Sequence, residues 1–149
     1  MNTKHFLKIA GIKGSSNHAQ HRGEMDLLNW WPDDATNKGR LGLDRPGQIA
    51  NIDAGEITCT KYPDQADAKL LEANASGRHI PEVILTTRRE GDDQDLFFAL
   101  VMKSVVIAGY QLGGSAGDTF PILSITLSFE EATYTSVVQA RGAVEGKWK

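Results

Sequence analysis

The stretch Glu56–Arg89, EITCTKYPDQADAKLLEANASGRHIPEVILTTRR, constrains the fold of this chain more than any other. Glu56–Lys61 has a short strand pattern that Pro63 breaks. Asp64 offers an N-cap oxygen, and Asp67 stands three residues on in a capping-box-like position. Both carboxylates favour the positive end of a helix dipole. Ala66, Ala68, Leu70, Leu71, Ala73 and Ala75 predict a helix over about 65–76, with Leu70 and Leu71 on its buried side. Gly77 supplies the left-handed residue that ends it, and Pro81 forbids resumption. Val83, Leu85 and Thr87 then alternate with Ile84, Thr86 and Arg88, which predicts a second strand. No other segment carries a convincing helical pattern.

The remainder reads as β-structure and turns. His5–Ile12 alternates Leu7 and Ile9 against Phe6 and Lys8, and Glu24–Trp31 is a second strand with Trp30 and Trp31 adding propensity. Pro32–Ala54 is expected to be a long loop, holding Pro32, Pro46, Gly39, Gly42 and Gly47. Arg89–Asp93 reads as a tight turn. Asp95–Ile107 is apolar on both faces, with Leu96, Phe98, Leu100 and Met102 on one and Phe97, Ala99 and Val101 on the other. A strand of that kind is covered twice, which suggests a second chain against one face. Gly109–Asp118 is a glycine-rich connection. Leu123, Ile125, Leu127 and Phe129 alternate cleanly with Ser124, Thr126, Ser128 and Glu130, and Thr133–Ala140 reads as a returning strand. About seven strands and one helix predict a mainly antiparallel β-barrel or pair of packed sheets in a single domain, 1–149.

Charge and composition exclude several function classes. The 149 residues carry 16 Lys/Arg against 19 Asp/Glu, for a net charge of −3, so no nucleic-acid footprint is present. The longest apolar run, Leu96–Met102, is too short to span a bilayer, and no membrane insertion is expected. Phe6–Ile12 is interrupted by Lys8 with no cleavage-type site after it, so no secretory signal peptide is expected. The single cysteine, Cys59, cannot form an intrachain disulfide and is expected to be buried rather than nucleophilic.

Possible catalytic motifs fail on context. Gly113-Gly114-Ser115-Ala116-Gly117 matches G-x-S-x-G, and a serine hydrolase using Ser115 is the alternative from the enzyme class. That elbow needs a helix after it and a later histidine, whereas a strand pattern follows here and no histidine follows His79. His18 and His21, with Glu24 nearby, lack a second ligand pair for zinc, and the two histidines read as surface residues. Asp92, Asp93 and Asp95 lack the spacing of a calcium loop. No catalytic residue, metal or cofactor is expected. A monomeric small-ligand-binding barrel is the third reading.

Several stretches, in order, resemble the haemolysin-coregulated protein (Hcp) family of bacterial type VI secretion. They are FLKIAGIKGSS at Phe6–Ser16, EMDLLNWW at Glu24–Trp31, TKYPDQADAKLLEANASGRHIPEVILTTRREG at Thr60–Gly91, LVMKSVVIAGYQLGGSAGD at Leu100–Asp118 and ITLSF at Ile125–Phe129. Ser76-Gly77-Arg78-His79, which follows the helix, is similar to the family's ASGKH signature. The resemblance implies a small β-barrel with one helix, phage tail-tube-like, that forms homohexameric rings stacking into a hollow tube. The implied partners are a VgrG-type spike, a contractile sheath and effectors carried in the lumen. It also implies assembly in the bacterial cytoplasm and secretion without a signal peptide. Gly113, Gly114, Ser115 and Gly117 are then expected near the lumen. Leu41, Leu43, Ile49 and Ile52, in the long loop 32–53, are the ring-contact candidates. The loop lacks the glycine run usual in the family. The chain also stops at Trp148-Lys149, where members commonly continue in a final strand, so that strand's edge pairing is the expected point of difference.

Overall fold

A computed structural model describes residues 2–32, 49–90, 94–114 and 121–140. The strands are β1 (Asn2–Ile9), β2 (Met25–Leu27), β3 (Asn29–Pro32), β4 (Ile49–Lys61), β5 (Ile80–Glu90), β6 (Gln94–Gly113) and β7 (Ile122–Ala140), with α1 (Asp67–Ser76) between β4 and β5. All seven strands join one antiparallel sheet in the order β2-β1-β5-β6-β7-β4-β3. The sheet is therefore one rolled ribbon rather than two separate layers.

The two ends of that ribbon are adjacent pieces of one segment. Glu24–Trp31 is not the single strand its pattern suggests. Residues 25–27 pair with β1, and the chain then switches at Leu28 so that residues 29–32 pair with β4. The Leu28 amide donates to the Thr60 carbonyl at 2.7 Å across the switch. One kinked segment thus brings the edges together into a nearly closed barrel, which removes most exposed strand edge.

Alternation decides what lies inside. Leu123, Ile125, Leu127 and Phe129 are buried as expected, facing Ile57, Cys59, Leu85, Leu100 and Met102 in one continuous core. Thr133–Ala140 is not a separate returning strand: β7 runs without a turn from Ile122 to Ala140. Its inward phase reverses midway, from Phe129 to Ala132 and Tyr134. β6 reverses beside it, from Leu100 and Met102 to Val105 and Ile107. The reversal sits at Ser104, whose φ of 53° is rare for a side-chain-bearing residue. The β6–β7 and β4–β7 ladders skip Ser104, Glu130 and Ala54 at the same level. Ala99, on the outward phase, is already buried within the single chain.

Three boundaries differ from the sequence pattern. β4 begins at Ile49, so residues 49–53 belong to the sheet and pair with β7 rather than to a loop. β5 continues through Arg89 and Glu90, beyond the expected turn. The helix starts at Asp67 rather than 65, because Asp64 caps through an Asx turn: its Oδ1 accepts the Ala66 amide at 2.9 Å. Gly77 ends the helix at φ 67°, and its amide donates to the Ala73 carbonyl. Leu70, Ala66 and Ala73 are buried against the barrel, while Leu71 is 49% exposed, contrary to the buried side assigned to it. Helical rotation places it a quarter turn past Leu70, beyond the reach of the barrel wall.

Candidate functional site

Lys61 ends β4 on its inward phase, after Ile57 and Cys59, and is fully buried. Its Nζ donates to Asp64 Oδ1 at 3.0 Å and Asp67 Oδ1 at 2.7 Å. The two aspartates that start the helix thus neutralise a cation at the end of the barrel interior. Such a triad fixes register more than it adds net stability. Burial and the Asp67 carboxylate push the nearby Tyr110 hydroxyl above the usual tyrosine range, against a smaller opposing effect of Lys61. Asn74 Nδ2 donates to the Ile107 carbonyl at 2.9 Å, tying the helix to β6.

The segment after β1 behaves differently. Residues 11–24 form a strap held by backbone bonds from Gly14 N to Gly23 O and from Ser16 N to Glu24 O, both 2.8 Å. His21 is buried, not a surface residue, and stacks on Phe6 with ring centroids 4.2 Å apart and planes 9° apart. His18 tilts against the same ring at 5.0 Å. Phe6 points outward from β1, so the strap covers the outer face of that strand. A cysteine-free loop without periodicity gave no sign of this from the sequence; only the outward apolar Phe6 beside Leu7 hinted at a cover. Glu24 Oε1 takes His21 Nδ1 at 3.1 Å. Among the described residues no group of three or more His, Cys, Asp or Glu could hold a metal ion.

At the seam closed by β3, Thr87 Oγ1 accepts from Trp30 Nε1 at 3.0 Å and lies 2.8 Å from His5 Nδ1. Burial holds the His5 imidazole below its ordinary value. Phe98 joins Trp30 to Tyr134 by ring contacts at 5.9 and 5.6 Å.

Among the described residues the exposed large apolar side chains are Leu28, Trp31, Tyr62, Leu71 and Leu112. Trp31 pairs with Thr58 on the outward face of β3–β4 and is 43% exposed, Leu28 stands beside the switch at 41%, and Tyr62 follows β4. Thr58 and Thr126 bond hydroxyl to hydroxyl at 3.2 Å on this face. Leu112 is exposed near the end of β6, next to Gly113 and Gly114. A Cβ on Gly113 would meet nothing within 4 Å, whereas one on Gly114 would touch Pro121 at 3.4 Å. Ser115 and Gly117 lie outside the described residues, as do Leu41 and Leu43. Ile49 and Ile52 are strand residues opposite Thr135 and Ala132 of β7.

Comparison with known proteins agrees with this barrel. The sequence model of the family described as "Type VI secretion system effector, Hcp" matches residues 6–135. The chain belongs to the Hcp family of type VI secretion tube proteins. Protein hcp1 of Pseudomonas aeruginosa is 29% identical over 143 residues, covering 95% of this chain and 88% of that protein. The crystal structure of Hcp1 from Salmonella typhimurium superposes with a TM-score of 0.67 at 25% identity, covering 92% of each chain. Hcp2 of the same species gives 0.65 at 23% identity over 96% of this chain and 99% of its own. Members of the Hcp family are structural, secreted proteins of the type VI apparatus. Among the described residues no helix is long and apolar enough to cross a membrane.

Proposed function

We propose that this chain is the structural subunit of the type VI inner tube, with six copies closing into rings that stack into a hollow tube. The supporting observation is the outward β3–β4 face. A barrel that buries its own core still leaves Trp31 of β3, Leu28 at the switch and Tyr62 after β4 exposed to solvent, and exposed aromatic and aliphatic side chains along one edge suit a protein contact. Leu41 and Leu43 would bury against an adjacent subunit or ring, with Ile49 and Ile52 at the strand end that leads from them. The glycine connection, Gly113, Gly114, Ser115 and Gly117, would border the lumen, where small residues leave room for effectors. A VgrG-type spike above and a contractile sheath outside complete the proposed assembly, which forms in the bacterial cytoplasm.

Negative-stain microscopy and light scattering on the purified chain test this reading. Uniform rings of about six subunits are expected from the closed symmetry of such oligomers. Trp31→Asp should disperse them while leaving the barrel's melting transition in place. A monomer at micromolar concentration, or rings indifferent to Trp31→Asp, would count against it.

A further inference from the structure

The strap, β1 and the helix border an open cleft of about 560 Å³ whose lining includes Lys8, Lys13, Arg22 and Lys69. Lys8 comes from β1, Lys13 and Arg22 from the two limbs of the strap, and Lys69 from the first turn of α1. The arrangement is built rather than incidental. Gln65 Nε2 donates to the Gly14 carbonyl at 2.5 Å, which fastens the strap to the start of the helix. A Cβ on Gly14 would stand 2.5 Å from the Glu24 carbonyl oxygen, so only glycine lets the limbs close. Closure is what brings Lys13 and Arg22 to the same opening.

Four cations converge here in a chain whose net charge is −3. Among the described residues none of the four has an ion-pair partner. The one carboxylate of the lining, Glu24, is engaged by His21 Nδ1. Ile9 and Ile12 form the cleft's apolar floor. Four cations against the single Glu24 carboxylate leave an excess of positive charge at the opening, and a multivalent anion relieves the remaining repulsion at once.

We propose that this cleft binds a compact oligophosphate. Its volume is that of a small-molecule site rather than of the extended groove a polypeptide needs. Arg22 offers a planar fork for two phosphate oxygens, and the three lysines supply mobile point charges around it. The inference does not rest on the ring assembly proposed above.

Calorimetric titration of the full chain with sodium tripolyphosphate in low-salt buffer tests it, with orthophosphate and polyglutamate as comparators. One saturable site is expected, at least about tenfold tighter for tripolyphosphate than for orthophosphate and weakening as salt is added. The double variant Lys13→Gln/Arg22→Gln should lose about tenfold or more in affinity with an unchanged melting temperature, both side chains being exposed. Lys4→Gln, an exposed lysine on β1 outside the cleft, should bind as the parent does. Absence of saturable binding overturns the proposal. So does an equal loss in Lys4→Gln, which would show diffuse charge attraction, or a preference for polyglutamate, which would make the cleft a seat for acidic polypeptide.

Discussion

Among the described residues two segments outside the strands cover this barrel, and they do so by opposite means. The helix, Asp67–Ser76, covers it with a row of small and aliphatic residues, Ala66, Leu70 and Ala73, and a buried lysine–aspartate clamp. The strap, residues 11–24, has almost no apolar side chains to offer. It covers Phe6 with two imidazoles and holds its shape through backbone bonds between its own limbs. The helix satisfies its backbone internally and needs only one apolar stripe to dock. The strap must satisfy its backbone by folding on itself, so its side chains are chosen for flatness and hydrogen bonding rather than for period.

The comparison can be broken most severely at Phe6. If stacking on Phe6 seats the strap, Phe6→Ala should cost ~3–5 kcal/mol in urea unfolding and also expose the strap to proteolysis. A loss confined to stability, with the strap still protected, would show that its backbone bonds suffice. On the helix side, Lys61→Ala should cost about 3 kcal/mol, because two aspartates would be left facing a partly dry site without their cation. Lys61→Met should recover much of that if burial rather than charge seats the helix end. Smaller again, Leu70→Ala should fall at the lower end of ~2–5 kcal/mol, since a surface helix can settle into the space, while Leu71→Ala should stay within ~0.5 kcal/mol. Equal effects from the two leucines would mean that the helix is rotated from the position described.

The smallest expected effect is on pH dependence. The folded His5 lies below its ordinary value of 6.5 because burial disfavours the imidazolium. The unfolded chain therefore binds the proton more readily, and stability present above about pH 6.5 should fall as the solution is acidified through that value. His5→Gln should flatten this slope. A slope that survives the substitution would show that His5 does not carry it.

Local order is what the sequence displays. The helix with its Gly77 stop, the alternation of Leu123 to Phe129, and the buried Cys59 are all legible, since each depends on neighbours one to four residues away. The stretches from Phe6 to Phe129 that resemble Hcp also pointed to the family. The candidate assembly residues divide into two groups. Leu41, Leu43, Ser115 and Gly117 fall outside the described residues, and Ile49 and Ile52 joined the sheet instead of a loop because β7 extends far enough to pair with them.

By itself, then, the sequence determined a mainly β chain with one helix, the Gly77 stop of that helix, and the inward phase of an uninterrupted run such as Leu123–Phe129, because hydrophobic period and backbone preference are carried by adjacent residues. Only the tertiary structure decided that β6 and β7 reverse phase together at Ser104 and Glu130, that Leu28 switches one segment between two edges of the sheet, and that Lys61 is a core residue. It alone brought Lys8, Lys13, Arg22 and Lys69 to one opening. Each of these depends on which distant backbone lies alongside, and that is set by closing the barrel, not by any local run of residues.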